Sequence, residues 1–260
     1  MVSRTPPTSL DLPPGCAARF HPAVAPLDGG RHALLLWLPG GGFTGELPPA
    51  GHVSPEMLAG AGADVVVLAL PRPPAHPFPA GVAAAFDALQ ALAREARRLT
   101  GSAGTALLVG GEDAGGNLAA ALALMARDQQ APALAGQVLV SPMLDPRLGS
   151  ASMRRGACGD GACPYTQGWK AYLGDDARAD HPYAVPLNAS RLGGLAPALV
   201  LSVASHPLGD EARRYAAALR AQGTAVHELR MDTATPDRTA SALRAFLEEA
   251  THPGRNALSG

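Results

Sequence analysis

Short apolar runs alternate with longer amphipathic segments along most of the chain. Six runs have the length and composition of buried β-strands, at residues 33–38, 64–70, 105–109, 137–141, 198–203 and 225–231. Apolar residues at three- and four-residue spacing predict helices at residues 81–99, 117–127, 211–222 and 239–250. Strands that alternate with such helices indicate parallel βαβ units, so we expect an α/β fold with a doubly wound, mostly parallel sheet flanked by helices.

Two regions depart from this alternation. Residues 1–30 are rich in proline and glycine without periodicity, which predicts an irregular N-terminal arm before an α/β domain at residues 31–252. Residues 145–197 combine glycine, proline, arginine and aromatic residues. We expect this second segment to be a cap-like insertion over the carboxyl ends of the strands, where open α/β sheets bind their ligands.

Composition narrows the classes of partner. The 260 residues carry a formal net charge of −1 with the basic residues spread along the chain, so neither nucleic acid nor an anionic membrane is expected as a partner. Hydrophobic residues make up 47% of the chain and aromatic residues only 4%, so the core must consist mainly of alanine, leucine and valine. The beginning of the chain has no apolar targeting segment, and we therefore expect a cytoplasmic protein.

The three cysteines are Cys16, Cys158 and Cys163. An odd number without a secretory signal argues against a disulfide framework, so we expect reduced thiols. Four residues separate Cys158 from Cys163 and no second pair lies nearby, which is a poor match to a zinc site. We predict no metal and no organic cofactor.

A glycine-rich turn joins the third predicted strand to the next helix. Its sequence, GGEDAGGN at residues 110–117, resembles the nucleophile elbow G-x-S-x-G, in which small residues permit a strained turn that exposes the central side chain. The central residue here is Asp113. The sequence PGGGF at residues 39–43 follows the first strand and resembles the HGGG loop, whose backbone N–H groups stabilise an oxyanion. The predicted oxyanion and substrate-binding residues are Gly40, Gly41, Gly42 and Ala114.

Two further segments, HPFPAG at residues 76–81 and SPMLDP at residues 141–146, complete a pattern of four motifs in order. Over residues 34–247 the chain resembles the α/β-hydrolases of the hormone-sensitive-lipase type, whose members are esterases, lipases and a few non-hydrolytic relatives. The resemblance implies a single α/β-hydrolase domain. Because the arm is short for the family's lid helices, it also implies a reduced N-terminal lid.

The resemblance places the family's triad on unusual residues. The family's acid corresponds to His206 in the segment SHPLGDE, and its histidine corresponds to Asp237 in the segment PDRT. The order Ser, Asp, His therefore reads Asp113, His206, Asp237. A serine esterase needs an alcohol nucleophile, a neighbouring base and an acid that orients the base, so a standard serine esterase is not expected.

All three replacements can ionise, which favours catalysis over random drift. Two carboxyl groups in one pocket would share a proton and provide an acid and a base. We therefore expect an enzyme that acts on a small organic substrate, such as a secondary metabolite, by cyclisation, isomerisation, dehydration or epimerisation. Two alternatives stand beside it: an inactive pseudo-hydrolase that binds a ligand or partner, and an Asp-nucleophile hydrolase of the epoxide-hydrolase type. The sequence does not distinguish a monomer from a homodimer.

Overall fold

The computed structural model describes residues 12–45, 47, 53–156, 163–174, 176–203, 205–231 and 236–252. Its strands are β1 (Ala17–His21), β2 (Ala33–Leu38), β3 (Ala63–Ala69), β4 (Ala106–Glu112), β5 (Gly136–Val140), β6 (Ala198–Val203) and β7 (Val226–Met231). Within this described part of the chain the strands form one sheet in the order β1-β3-β2-β4-β5-β6-β7. The pairing of β1 with β3 is antiparallel, and every other pairing is parallel.

Helices cover both faces of this sheet. They are α1 (Pro55–Gly60), α2 (Ala80–Thr100), α3 (Ala114–Asp128), α4 (Ala151–Gly156), α5 (Pro164–Leu173), α6 (Gly209–Ala221) and α7 (Pro236–Ala250). One core holds the apolar residues of α2, α3, α5 and α6, and a second core on the opposite face holds those of α1 and α7. The predicted doubly wound, mostly parallel arrangement is therefore confirmed.

The central strand β2 shows why an uninterrupted apolar run becomes a central strand. All six of its side chains are buried. Because successive side chains of a strand point to opposite faces, Leu34 and Leu36 enter the first core whereas Leu35 and Trp37 enter the second. A strand with helices on both sides has no solvent-facing position, so it needs no polar residue.

The six predicted strands and four predicted helices are confirmed, with boundaries shifted by a few residues. The predicted arm at residues 1–30 is wrong for residues 17–21, which form the edge strand β1. Its side chains are exposed or partly exposed, so it lacks the apolar signal of a buried strand. The short helices α1, α4 and α5 were also not predicted.

Three further expectations concern cysteine, metal and membrane. Cys163, which directly precedes α5, is disulfide-bonded, so the prediction of reduced thiols is wrong for this residue. Cys16 is a free thiol, and Cys158 lies outside the described residues.

Across the part of the chain that can be described, no group of three or more His, Cys, Asp or Glu side chains is arranged to hold a metal ion. In that same part, no helix is both long enough and apolar enough to cross a bilayer.

Candidate active site

Asp113 occupies a strained turn between β4 and α3. Its backbone has φ of 54° and ψ of −120°, a conformation that residues with a side chain rarely adopt. Neighbouring glycines make the turn possible, because a Cβ atom on Gly111 would overlap the carbonyl oxygen of Gly115, and one on Gly115 would overlap that of Leu38. This is the geometry of a nucleophile elbow, with an aspartate where the pattern has serine.

The end of β5 holds the backbone of this turn. The N–H of Asp113 donates to the carbonyl oxygen of Val140 at 3.0 Å, and the N–H of Met143 donates to the carbonyl oxygen of Asp113, also at 3.0 Å. Asn117 links the turn to the segment after β5, since its Nδ2 donates to the Met143 carbonyl oxygen at 3.0 Å. The position of Asp113 is therefore fixed from two sides by backbone hydrogen bonds.

The carboxylate of Asp113 lies against the glycine-rich loop after β2. Its Oδ2 accepts hydrogen bonds from the N–H of Gly41 at 3.0 Å and the N–H of Gly42 at 2.8 Å. The side chain packs closely on Gly40, where a Cβ atom would lie 3.1 Å from the Asp113 Cβ. Asp113 is only 4% exposed, and its Oδ1 is buried with no hydrogen-bond partner in the described part of the chain.

Burial sets the protonation of this carboxyl group. Loss of hydration raises the pKa of Asp113 to about 6, and the nearby charge of Glu112 acts in the same direction. The N–H groups of Gly41, Gly42 and Ala114 oppose the rise because they stabilise the charged form. Asp113 therefore changes protonation close to neutral pH, in the range useful for acid–base catalysis.

Helix α5, from the predicted insertion at residues 145–197, packs on the glycine-rich loop. Gly168 lies so close to the loop that a Cβ atom there would overlap the carbonyl oxygen of Gly42. The ring of Phe43 stacks on Tyr172 with centroids 3.9 Å apart and an interplanar angle of 2°, and its centroid lies 5.0 Å from that of Trp169. The aromatic side chains of α5 thus help to fix the loop that binds the Asp113 carboxylate.

His206 and Asp237 are not hydrogen-bonded to Asp113 in the described structure. His206 lies in the turn before α6 and is partly exposed, and its Nδ1 accepts the N–H of Leu208 at 3.3 Å. Asp237 is exposed in the first turn of α7. The structure thus brings Asp113 together with the predicted oxyanion residues, whereas a catalytic grouping with His206 and Asp237 stays a prediction.

Two functional candidates were not predicted from the sequence. Glu211, in the first turn of α6, is fully buried, and its Oε2 accepts the N–H groups of Leu144 at 2.6 Å and Asp145 at 2.8 Å. Burial raises the pKa of Glu211 to about 8. Burial, and then the charges of Asp113 and Glu211, raise the pKa of Tyr165 in α5. The sequence signal for Glu211 was weak, because an acidic residue in the first turn of a helix is common.

A mostly apolar pocket opens beside the elbow. Its cavity volume is about 50 Å³, and its wall includes Gly40, Phe43, Ala114, Leu118 and Tyr172. Gly40 and Ala114 flank the Asp113 carboxylate, which lies behind this wall. Its lining is of the mostly apolar kind that small-molecule sites commonly have.

Comparison with known proteins identifies the family. A family model described as the alpha/beta hydrolase fold matches residues 35–235. The chain belongs to the α/β-hydrolase family. This confirms the fold class and the hormone-sensitive-lipase resemblance that the sequence motifs indicated.

Relatives of this α/β-hydrolase are named as esterases. It is 37% identical over 213 residues to carboxylic ester hydrolase LipN of Mycobacterium tuberculosis, a match that covers 77% of this chain and 56% of LipN. It is 31% identical over 186 residues to an esterase of Acinetobacter venetianus, covering 70% of this chain and 59% of that esterase. The chain thus spans less than two thirds of the length of these relatives.

A solved structure agrees with the sequence relatives. A bacterial heroin esterase superposes with a TM-score of 0.73 at 27% identity, covering 93% of this chain and 87% of that one. An arylesterase superposes with a TM-score of 0.75, covering 91% of this chain and 80% of that one, and at 24% identity it supports the fold alone.

These relatives contradict the function expected from the sequence. We expected cyclisation, isomerisation, dehydration or epimerisation by acid–base chemistry, whereas relatives at 31% and 37% identity are named as ester hydrolases. Neither the inactive pseudo-hydrolase nor the Asp-nucleophile hydrolase fits these relatives better. The replaced triad residues are a small part of the chain, and the rest retains the family's fold and glycine loop.

Proposed function

We propose that this α/β-hydrolase hydrolyses carboxylic esters. The relatives and the heroin esterase structure support this reaction class. The observation that carries the proposal is the convergence of the Gly41 and Gly42 N–H groups on a single oxygen atom, at 3.0 and 2.8 Å. Two N–H donors at these distances, fixed by the backbone before any substrate arrives, form the kind of site that stabilises the oxyanion of ester hydrolysis.

In this proposal the oxyanion site binds the ester carbonyl oxygen. Asp113 Oδ2 marks the place of that oxygen, since both are oxygen acceptors that carry negative charge. When an ester binds there, the Asp113 side chain has to turn away from the two N–H groups. The turn removes two hydrogen bonds that stabilise the ionised carboxylate, so it raises the pKa of Asp113 further and makes the freed carboxylate a stronger base.

The elbow residue determines how the ester is attacked. Asp113 has no hydroxyl group to form a serine-type acyl-enzyme, so water is the attacking group and Asp113 is the general base. Asp113 takes a proton from water as the water oxygen bonds to the ester carbon. The tetrahedral intermediate then breaks its bond to the alcohol oxygen, and Asp113 returns the proton to the departing alcohol.

The test is hydrolysis of short esters by the purified chain. We expect it to hydrolyse p-nitrophenyl butyrate and, in a pH-stat, ethyl butyrate, which excludes a response peculiar to activated esters. Asp113→Asn keeps the size of the side chain but removes the base, so it should lower kcat/KM by a factor of about 100 or more. Asp210→Asn, which changes a partly exposed carboxylate outside the pocket, should leave kcat/KM unchanged.

Two outcomes would contradict this account. Absence of hydrolysis by the wild-type chain would overturn ester hydrolysis as its activity. If Asp113→Ser then hydrolysed the esters, the fold would be able to catalyse the reaction and the aspartate would not. Wild-type activity that Asp113→Asn leaves intact would overturn the role of Asp113. His206→Gln and Asp237→Asn, measured in the same assay, test whether these two residues take part.

A further inference from the structure

The pocket beside the elbow contains a positive charge that ester hydrolysis does not require. Arg72 follows β3 and contributes to the wall of the pocket together with Gly40 and Ala114. Its guanidinium lies against the glycine-rich loop, because a Cβ atom on Gly45 would overlap the Arg72 side chain. The arginine therefore connects the end of β3 to the loop that holds the oxyanion site.

Arg72 has no acidic partner among the residues that the structure describes, whereas other arginines of the chain do. Arg147 and Arg214 both pair with Asp145, and Arg220 pairs with Glu228 at 2.8 Å. No aspartate or glutamate contributes to the wall of the pocket within those same ranges. A planar guanidinium with five N–H donors is suited to bind a carboxylate through two parallel hydrogen bonds.

A second polar group in the wall also lacks a partner. The hydroxyl of Tyr172 is buried and makes no hydrogen bond within the described residues. Because this oxygen has almost no accessible surface, it does not offer a ligand a polar contact. The rest of the wall is largely apolar, with Phe43 and Leu118 as examples. The pocket thus combines an apolar stretch and a cation beside Gly40, the residue that precedes the two oxyanion donors Gly41 and Gly42.

We propose that Arg72 binds a free carboxylate of the substrate, so that the preferred substrates are anionic esters. This inference rests on the proposed ester hydrolysis. The ester carbonyl oxygen lies on the N–H groups of Gly41 and Gly42, the carbon chain lies against Phe43, and the free carboxylate lies on Arg72. The carboxylate can belong to the acyl half, as in a monoester of a dicarboxylic acid, or to the alcohol half, as in an acylated hydroxy acid.

The kinetic test compares substrates matched in length. Mono-p-nitrophenyl glutarate carries a carboxylate where p-nitrophenyl pentanoate ends in a methyl group, and 4-acetoxybutanoate against butyl acetate moves the charge to the alcohol half. We expect a higher kcat/KM for one of the anionic esters than for its neutral match. Arg72→Met should lower kcat/KM for that anionic ester on the order of fivefold, because Arg72 is exposed, and should leave the neutral ester unchanged.

Arg94→Met is the matched control. Arg94 is exposed on α2, about 20 Å along the helix from Gly81 in the pocket wall, so its substitution removes the same charge at a distance. Arg94→Met should therefore retain the preference, and Arg72→Lys should retain part of it. The preference should also weaken when NaCl rises from 0.05 to 0.5 M. Equal kcat/KM for anionic and neutral esters would overturn the proposal.

A binding measurement separates this inference from the proposed reaction. N-(4-nitrophenyl)glutaramic acid and N-(4-nitrophenyl)pentanamide replace the labile ester by an amide, so calorimetry reports their affinities whether or not the chain is an esterase. Tighter binding of the acid that is lost in Arg72→Met supports the anion site even if no ester is cleaved. 4-Acetamidobutanoate and N-butylacetamide make the same comparison for a carboxylate on the alcohol half. Equal binding within both pairs, or binding of none of the four amides, would overturn the anion site.

Discussion

Replacing Glu211 by glutamine should remove a large part of the pH dependence of stability. The Glu211 side chain is fully buried, and its Oε2 accepts two backbone N–H groups from the segment that follows β5. Its Oε1 is buried without a partner among the described residues. Burial is the largest reason that the pKa of Glu211 is about 8, and the charge of Asp145 adds to it.

The sign follows from the number of protons bound. Between pH 4.5, the ordinary pKa of glutamate, and pH 8, the folded chain keeps the Glu211 proton while the unfolded chain has lost it. The stability that protonated Glu211 contributes is therefore fully present below pH 4.5. Between pH 4.5 and pH 8 it falls by about 1.4 kcal/mol for each pH unit. From pH 5 to pH 8 the loss from this one group amounts to about 4 kcal/mol.

Urea unfolding of the wild type and Glu211→Gln across pH 5 to 8.5 measures this effect. Glutamine cannot ionise, so the difference in the free energy of unfolding should move in favour of the variant by about 4 kcal/mol between pH 5 and pH 8. The new amide N–H groups add a cost that does not change with pH. Because other titrating groups are common to both proteins, the difference isolates Glu211.

Asp210 provides the adjacent control. Its ion pair with Arg213 lowers the pKa of this carboxyl, so it is ionised in both folded and unfolded chains throughout this pH range. Asp210→Asn should therefore shift stability by the same amount at every pH tested. If Glu211→Gln showed the wild-type slope, burial would not control the protonation of Glu211, and the pH dependence of stability would have to come from other groups.

Two further predictions concern the elbow and its covering helix. If Asp113 is the general base, kcat/KM should rise with pH through about 6, the pKa to which burial raises this group, and pH–rate profiles that stay flat from pH 5 to 8 would refute that role. Gly168→Ala should push α5 away from the Gly42 carbonyl oxygen and lower the free energy of unfolding by about 1 to 3 kcal/mol. Gly104→Ala, whose new Cβ atom would meet no atom within 4 Å, should lower it much less. Equal shifts of the melting temperature in the two variants would show that the close approach of α5 to the loop is unimportant.

The fold could be predicted where burial alone decides the sequence. Strand β2 is buried on both faces, so its run of six apolar residues was sufficient to place it. Strand β1 is an edge strand whose pairing depends on backbone hydrogen bonds to β3, and its sequence AARFH carries no comparable signal. Helix α5 could not be predicted from the sequence, because its aromatic side chains pack on the glycine-rich loop, which lies more than 100 residues away along the chain.

The candidate site could be predicted where steric demands leave a mark on the sequence. Only glycine fits at Gly111 and Gly115, so the elbow was recognisable from its spacing. The hydrogen bond between Gly41 and Asp113 joins residues 72 positions apart and depends on the side-chain conformation, which no local pattern encodes. The burial of Glu211 likewise results from the approach of α6 to the segment after β5, whose Leu144 and Asp145 N–H groups donate to Glu211.

The position of the Asp113 carboxylate links the family's chemistry to this chain's own sequence. An ionised carboxylate and the oxyanion of ester hydrolysis both present a negative oxygen to the same N–H donors, so a loop built for one also stabilises the other. The ester must compete with Asp113 for Gly41 and Gly42, and the energy of this competition depends on pH because only the ionised carboxylate binds them strongly. Because burial raises the pKa of Asp113 to about 6, the competition weakens only below that pH, where the protonated carboxyl group can no longer act as the base. In the proposed reaction the aspartate is thus both the base and, before the ester binds, a competitor for the oxyanion site.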